Sequence, residues 1–248
     1  MSPYTELKPD HNLESLPDTA IPALRNPSIY EAWKREQDNN SGFVVDDWSH
    51  TGDIGYSEEI ERLFGADVLD HCVKKLRDNN GELKIVSFGG GKLKGVVEMK
   101  NKLEKICKRM GLEPTVTIVD YALKSELAKS GLKEMGQEDL LASGVVKLHE
   151  GCLEIVNISD AENADVMISR EGPFMHCPID DVLYDLLAKV APRLSKGSKA
   201  FLELMKIDRG QEREKVIARV SQSLGSNFIV DMDHNEEYTS YIIIWRVG

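Results

Sequence analysis

The run Ile85-Val86-Ser87-Phe88-Gly89-Gly90-Gly91-Lys92-Leu93-Lys94-Gly95 limits what this chain can become more than any other stretch. An apolar strand over about 83–88 leads into three consecutive glycines, and a helical pattern starts at once. Leu93, Val96, Val97, Leu103, Ile106 and Met110 share one stripe, which Gly111 ends. Strand, glycine turn and long amphipathic helix open a nucleotide-binding α/β unit. Glycine reaches backbone angles closed to other residues and lets a ligand approach the main chain. A tight turn with no ligand is the plainer reading. One βα unit later a second strand, 115–120, ends in Asp120. A carboxylate there either holds ribose hydroxyls or caps the helix that follows.

The rest of the chain divides around this unit. Residues 1–27, rich in Pro, Asp and Asn, read as a loosely ordered arm. A short helix capped by Ser28 carries Ile29 and Trp33 and stops near Asp38–Gly42. The aromatic loop 43–56, with Trp48, His50 and Tyr56, either lies over the open strand ends as a lid or packs a cap onto the sheet. A helix from Ser57 through Leu76 ends at the Asn79-Asn80-Gly81 turn signal. Residues 1–80 thus form an arm and helical cap, and 81–248 the main domain.

Beyond Asp120, helices ending at Gly131 and Gly144 precede a third strand, 145–149, and a fourth spans 164–169. A helix from near Asp180 stops at Gly197, a fifth strand covers 200–204, and a sixth helix stops at Gly225. Two closing strands, 228–230 and 241–245, have no helix between them, so they are expected to pair antiparallel. The alternation before them predicts a mostly parallel sheet with helices on both faces.

Composition excludes several classes of function. There are 31 basic and 42 acidic residues, a formal charge of −11. No basic block offers a surface for nucleic acid or an anionic membrane. The four cysteines, Cys72, Cys107, Cys152 and Cys177, show neither metal-ligand nor paired spacing, which fits reduced thiols and no metal. No apolar run reaches the about 18 residues of a membrane span. The polar start carries no secretory pattern. A cytoplasmic protein is expected.

Five βα units, a helix and a terminal hairpin resemble the seven-stranded class I S-adenosylmethionine-dependent methyltransferase superfamily over roughly residues 80–248. The resemblance implies a Rossmann-like α/β sheet and S-adenosylmethionine as cofactor. In the glycine motif Ser87 stands where an acid is usual, Gly89 and Gly91 hold the first two glycine places with Gly90 between them, and Leu93 takes the third. Asp120 matches the ribose-binding acid. Gly151-Cys152 stands where Gly-Asp contacts adenine, so Glu150 or Glu154 is a substitute for that contact. Ser169-Arg170-Glu171-Gly172-Pro173 matches the segment facing donor and acceptor, and Lys196-Gly197 the turn before the fifth strand.

Methyl transfer from a sulfonium is an in-line displacement, so positioning supplies most of the catalysis. Tyr121 either packs on adenine or belongs to the core. An oxygen or nitrogen acceptor can need a base, for which His176 comes first and Glu171 second; both are also ordinary solvated or capping residues. Arg170 would pair with an acceptor carboxylate, and His149 reads as structural. A small-molecule methyl acceptor is the expected substrate. A nicotinamide-dependent oxidoreductase is the rival, but no Tyr-x-x-x-Lys pair occurs, Tyr184 being followed by Ala188. A non-catalytic protein of the same fold is the third reading.

Overall fold

The computed structural model describes residues 12–43, 67–170, 172–174, 177, 180–204, 211–234 and 240–248. Its strands are β1 (Glu82–Phe88), β2 (Thr115–Ala122), β3 (Val146–Glu150), β4 (Ala164–Ser169), β5 (Leu194–Leu204), β6 (Phe228–His234) and β7 (Ser240–Arg246). The helices are α1 (Pro27–Phe43), α2 (Asp67–Asp78), α3 (Lys94–Arg109), α4 (Ser125–Glu134), α5 (Asp139–Ala142), α6 (Asp180–Val190) and α7 (Gln211–Leu224).

The strands form one sheet in the order β3-β2-β1-β4-β5-β7-β6. The first five are parallel, and β7 runs antiparallel to both β5 and β6. β4, central and buried along its whole length, needs apolar residues on both faces; its alternate side chains, Val166 and Ile168 against Met167, enter two different cores. One core lies under α2, α3 and α4, with Leu76, Leu103 and Leu132. The other lies under α6 and α7, with Leu186, Leu187 and Val220.

At the amino end of β4 the Asp165 carboxylate gathers four elements. One oxygen accepts from Asn79 Nδ2 at 3.0 Å and Ser195 Oγ at 3.1 Å, and lies 3.3 Å from Lys75 Nζ. The other accepts from the Lys84 amide at 2.9 Å. Each partner satisfies a buried charge that would otherwise be costly.

Several local expectations give way to tertiary contacts. Residues 12–26 are not loose: they form 3₁₀ turns at Leu13–Ser15 and Pro22–Arg25, with Leu16, Ile21 and Leu24 buried. Half-buried Lys189, on α6, helps to hold them down, beside the Ala23 amide on Asp185 and the Ile21 amide on the Glu154 carbonyl. The Lys189 ammonium donates to the carbonyls of Thr19 (2.8 Å), Leu153 (2.8 Å), Val156 (2.9 Å) and Glu154 (3.3 Å). Polar composition predicts a loose arm because it cannot register a cation supplied from a distant helix.

Helix α1 is capped by Asn26 rather than Ser28, the Asn26 side chain accepting the Ser28 amide at 3.0 Å, and it continues through the expected stop to Phe43. The Lys196-Gly197 turn lies inside β5, where pairing with β4 slips between Ala164 and Val166. The aromatic loop from residue 44 on, the helix start at Ser57 and residues 1–11 lie outside the described residues.

Replacing Lys189 with Met removes the donor from the Thr19, Leu153 and Val156 carbonyls, while the Glu154 carbonyl keeps the Ile21 amide at 2.9 Å. We expect a loss on the order of 3 kcal/mol in urea unfolding and faster tryptic cleavage after Arg25. An unchanged midpoint would refute the clamp.

Candidate functional site

The site grows from the carboxyl ends of β1, β2 and β4. Leaving β1, the chain turns through Gly89 and Gly91, whose φ angles are +75° and +52°, and through Leu93 at +60°. Leucine in that left-handed region is strained. Its amide bonds the Gly90 carbonyl at 2.7 Å and its side chain is fully buried, so packing holds it there. Leu93 occupies the place where a third glycine was absent from the motif, and the backbone keeps a glycine-like angle all the same.

Gly90 is fixed by crowding instead. A Cβ there would fall 2.6 Å from Leu93 Cδ2, 2.6 Å from Ser87 Oγ and 3.0 Å from Asp120 Oδ1. Ser87 and Asp120 are register partners across β1 and β2. The Gly90 amide donates to Asp120 Oδ1 at 3.2 Å, whereas Oδ2 has no hydrogen-bond partner. Asp120 is fully buried. Burial pushes its carboxyl up to about 6, with the Ser87 hydroxyl and Gly90 amide favouring the charged form and moderating the rise.

Asp120 is not a helix cap. Helix α4 begins at Ser125, whose amide and hydroxyl both donate to Glu150 Oε2, at 3.1 and 2.7 Å. These bonds hold the Glu150 carboxyl below its ordinary value. Nor does Gly131 end α4. It lies inside the helix, where a Cβ would fall 2.0 Å from the Lys92 carbonyl, so the helix presses directly on the glycine turn.

Between β1 and β4 the fit is equally close. Ser169 Oγ donates to the Phe88 carbonyl at 3.1 Å. A Cβ on Gly172 would fall 2.4 Å from that same carbonyl, and one on Gly89 would fall 3.0 Å from Gly172 Cα. Gly172 belongs to the segment matched by resemblance after the fourth strand, and its close approach to the Phe88 carbonyl is the reason a glycine is needed there.

Ser87, Gly89, Gly90, Gly91, Asp120 and Ser169 therefore converge on three neighbouring strand ends, with Arg170 next in chain. Gly151 and Cys152 follow β3, one strand further out, where Gly151 has φ +140° and its amide bonds the Ala122 carbonyl. Tyr121 points to the other face and is buried, its ring stacked between Phe88 (5.8 Å) and His149 (4.8 Å). His149 is held in turn by Asp160 Oδ2 at 3.0 Å. Of the two substitutes for the adenine contact, Glu150 is engaged as the α4 cap. Glu154 is buried, with its carboxyl raised by that burial and the Lys189 charge opposing the rise. The base candidates Glu171 and His176 lie outside the described residues. Among the described residues no cluster of His, Cys, Asp or Glu is arranged to hold a metal, and no helix is long and apolar enough to cross a membrane.

A parallel β3-β2-β1-β4-β5 sheet closed by an antiparallel β7 inserted before β6 decides the architecture. The chain has the class I methyltransferase fold. A candidate class I S-adenosylmethionine-dependent methyltransferase from Listeria monocytogenes superposes with a TM-score of 0.53 at 12% identity, covering 91% of this chain and 74% of the other. Magnesium protoporphyrin IX methyltransferase from Synechocystis PCC 6803, solved with S-adenosylmethionine bound, gives 0.51 at 16% identity, with 88% and 97% covered. An amino pentose methyltransferase of calicheamicin biosynthesis from Micromonospora echinaspora, also with the cofactor, gives 0.50 at 11%, with 88% and 97% covered. No family model matches the chain, and no curated protein sequence matches it significantly.

A carboxyl that binds its proton more tightly folded than unfolded makes folding more favourable when protonated. Stability should therefore fall as pH rises from about 4 through 6 relative to Asp120→Asn, by up to about 3 kcal/mol for a rise from 3.8 to about 6. Parallel denaturation curves for the two proteins over that window check this; a pH-independent difference would refute it.

Proposed function

We propose that the protein is an S-adenosylmethionine-dependent methyltransferase acting on a small-molecule oxygen or nitrogen acceptor. The observation that carries this reading is the Asp120 carboxylate, kept buried beside the glycine turn with one oxygen lacking a donor. An unmade bond at a buried carboxylate costs stability unless a ligand supplies the donor, and ribose hydroxyls are donors of the right kind. The turn suits the rest of that cofactor, whose methionine end has ammonium and carboxylate groups but no phosphate.

When bound, the cofactor supplies an electrophilic methyl group on a sulfonium. The work left to this chain is positioning. Backbone groups of Gly89, Gly90 and Gly91 line the methionine end, Asp120 accepts from the ribose, and the Gly151-Cys152 turn borders the adenine. Ser169 and Arg170 face the acceptor, and Arg170 supplies a charge for an acceptor carboxylate. His176, with Glu171 second, takes a proton from the acceptor where its chemistry requires that. The acidic surface and absence of a basic block favour a compact acceptor over nucleic acid. A cytoplasmic location fits the reduced-thiol pattern.

A non-catalytic role has one observation in its favour. The space beside Gly90 is filled by Leu93 and Ser87, two departures from the family motif.

Calorimetric titration with S-adenosylmethionine, S-adenosylhomocysteine and NADH separates these readings. We expect micromolar binding of the first two, at least about tenfold weaker in Asp120→Ala, and none of NADH. NADH binding alone would assign an oxidoreductase, and silence from all three a non-catalytic protein.

A further inference from the structure

The exposed apolar surface of the sheet lies far from this site in strand order. Among the described residues three large apolar side chains are substantially exposed, and two of them, Ile229 (50%) and Trp245 (40%), are direct register partners on β6 and β7. β6 is the last strand of the sheet, so its outer edge has no strand partner among the described residues. Its side chains alternate. Val230 and Met232 turn toward the core shared with α7, while Ile229, Asp231 and Asp233 point to the opposite face and are exposed. That face carries, row by row, Lys199–Trp245–Ile229, then Phe201–Ile243–Asp231, then Glu203–Tyr241–Asp233.

The two ends of the patch differ in charge. Lys199 lies over the Trp245 ring at 5.6 Å, at the apolar end. At the other end burial pushes the Tyr241 hydroxyl up to about 12, with the Asp233, Asp67 and Asp231 carboxylates adding to the rise. Arg213 reaches Asp231 at 3.4 Å, but both groups are solvated and such a pair is weak. Asp231 also accepts the Met232 amide, and Asp233 the Tyr241 hydroxyl.

We propose that the β6 edge docks an extended cationic segment of a partner protein, added to the sheet as a further strand. Edge addition supplies main-chain hydrogen bonds, and alternate side chains read the face. An apolar residue of the partner would sit beside Ile229 and Trp245, with Lys or Arg at the next two same-face positions beside Asp231 and Asp233. A second copy of this chain fits poorly. Antiparallel self-pairing centred on Asp231, the register that pairs all of β6, sets that carboxylate against its own copy; centring on Met232 sets Asp231 against Asp233, and centring on Val230 avoids both only by leaving Asp233 and His234 outside the pairing. Acids facing each other across a strand pair are destabilising, and charged edges are how sheets avoid self-association. The same acids attract a basic strand. This inference stands apart from the cofactor reading.

The test uses the full chain and an acetylated, amidated peptide, Lys-Thr-Lys-Thr-Val-Thr-Lys-Thr-Lys, whose pattern reads alike in both directions, beside its Glu-for-Lys counterpart. The lysine peptide should bind, slow amide exchange in β6, and weaken as salt is raised; the glutamate peptide should not bind. In the Asp231→Lys, Asp233→Lys double variant the preference should invert, while thermal unfolding confirms that the variant is folded. Ile229→Thr should weaken the lysine peptide about tenfold, the size expected for losing one apolar anchor. Equal binding of both peptides, binding without β6 protection, or no binding would overturn the proposal. So would a dimer in light scattering that the double variant dissolves, because the edge would then belong to a second copy.

Discussion

Backbone meeting backbone at the carboxyl ends of β1 and β4 is the constraint on which the rest of this structure depends. Gly89, Gly90 and Gly172 lie where a single added carbon would collide with a main-chain atom or a buried polar side chain. Because nothing separates the two strand ends, the Ser169 hydroxyl reaches the Phe88 carbonyl, and the turn is forced down onto Ser87 and Asp120. On its far side the same turn is braced by α4, whose Gly131 admits the Lys92 carbonyl. Four segments distant in sequence are thereby locked at one point, and that point is the candidate site.

Buried charge is handled in two ways in this molecule. Asp165 and Lys189 are fully engaged, each bridging several elements that would otherwise end in unsatisfied groups. They explain order, of the sheet's amino end in one case and of residues 12–26 in the other. Asp120 is different. It is the most deeply buried of the three, yet one oxygen is left without a donor. A fully buried carboxylate left open beside a glycine turn marks a place where stability and ligand binding oppose each other.

How far the site was legible depends on whether its contacts are local. Gly89 to Gly91 and Asp120 stand out because a glycine triplet after an apolar run, and an acid at a strand tip, are signals within a few residues. Gly172 and Gly131 are visible in the sequence, one in a motif segment and one as an expected helix stop, but the reason each is glycine is an atom from another element. Tyr121 is half legible. Alternation in β2 puts it on the face opposite Asp120, but only the pairing of β2 with β1 and β3 shows its ring stacked between Phe88 and His149. The alternative of Asp120 as a helix cap fails for the same reason, since Glu150 reaches the start of α4 from β3.

The sequence by itself determined the element order, the parallel core with its terminal antiparallel pair, and the glycine turn with its acid, because hydrophobic periodicity and backbone permissiveness act over short stretches of chain. Only the tertiary structure decided that residues 12–26 are ordered, that Leu93 keeps a left-handed angle without being glycine, that Lys196-Gly197 is an irregularity inside β5, and that Asp120 retains an open oxygen. Those outcomes depend on atoms brought together across the fold, where packing and buried hydrogen bonds outweigh the propensity of any one residue.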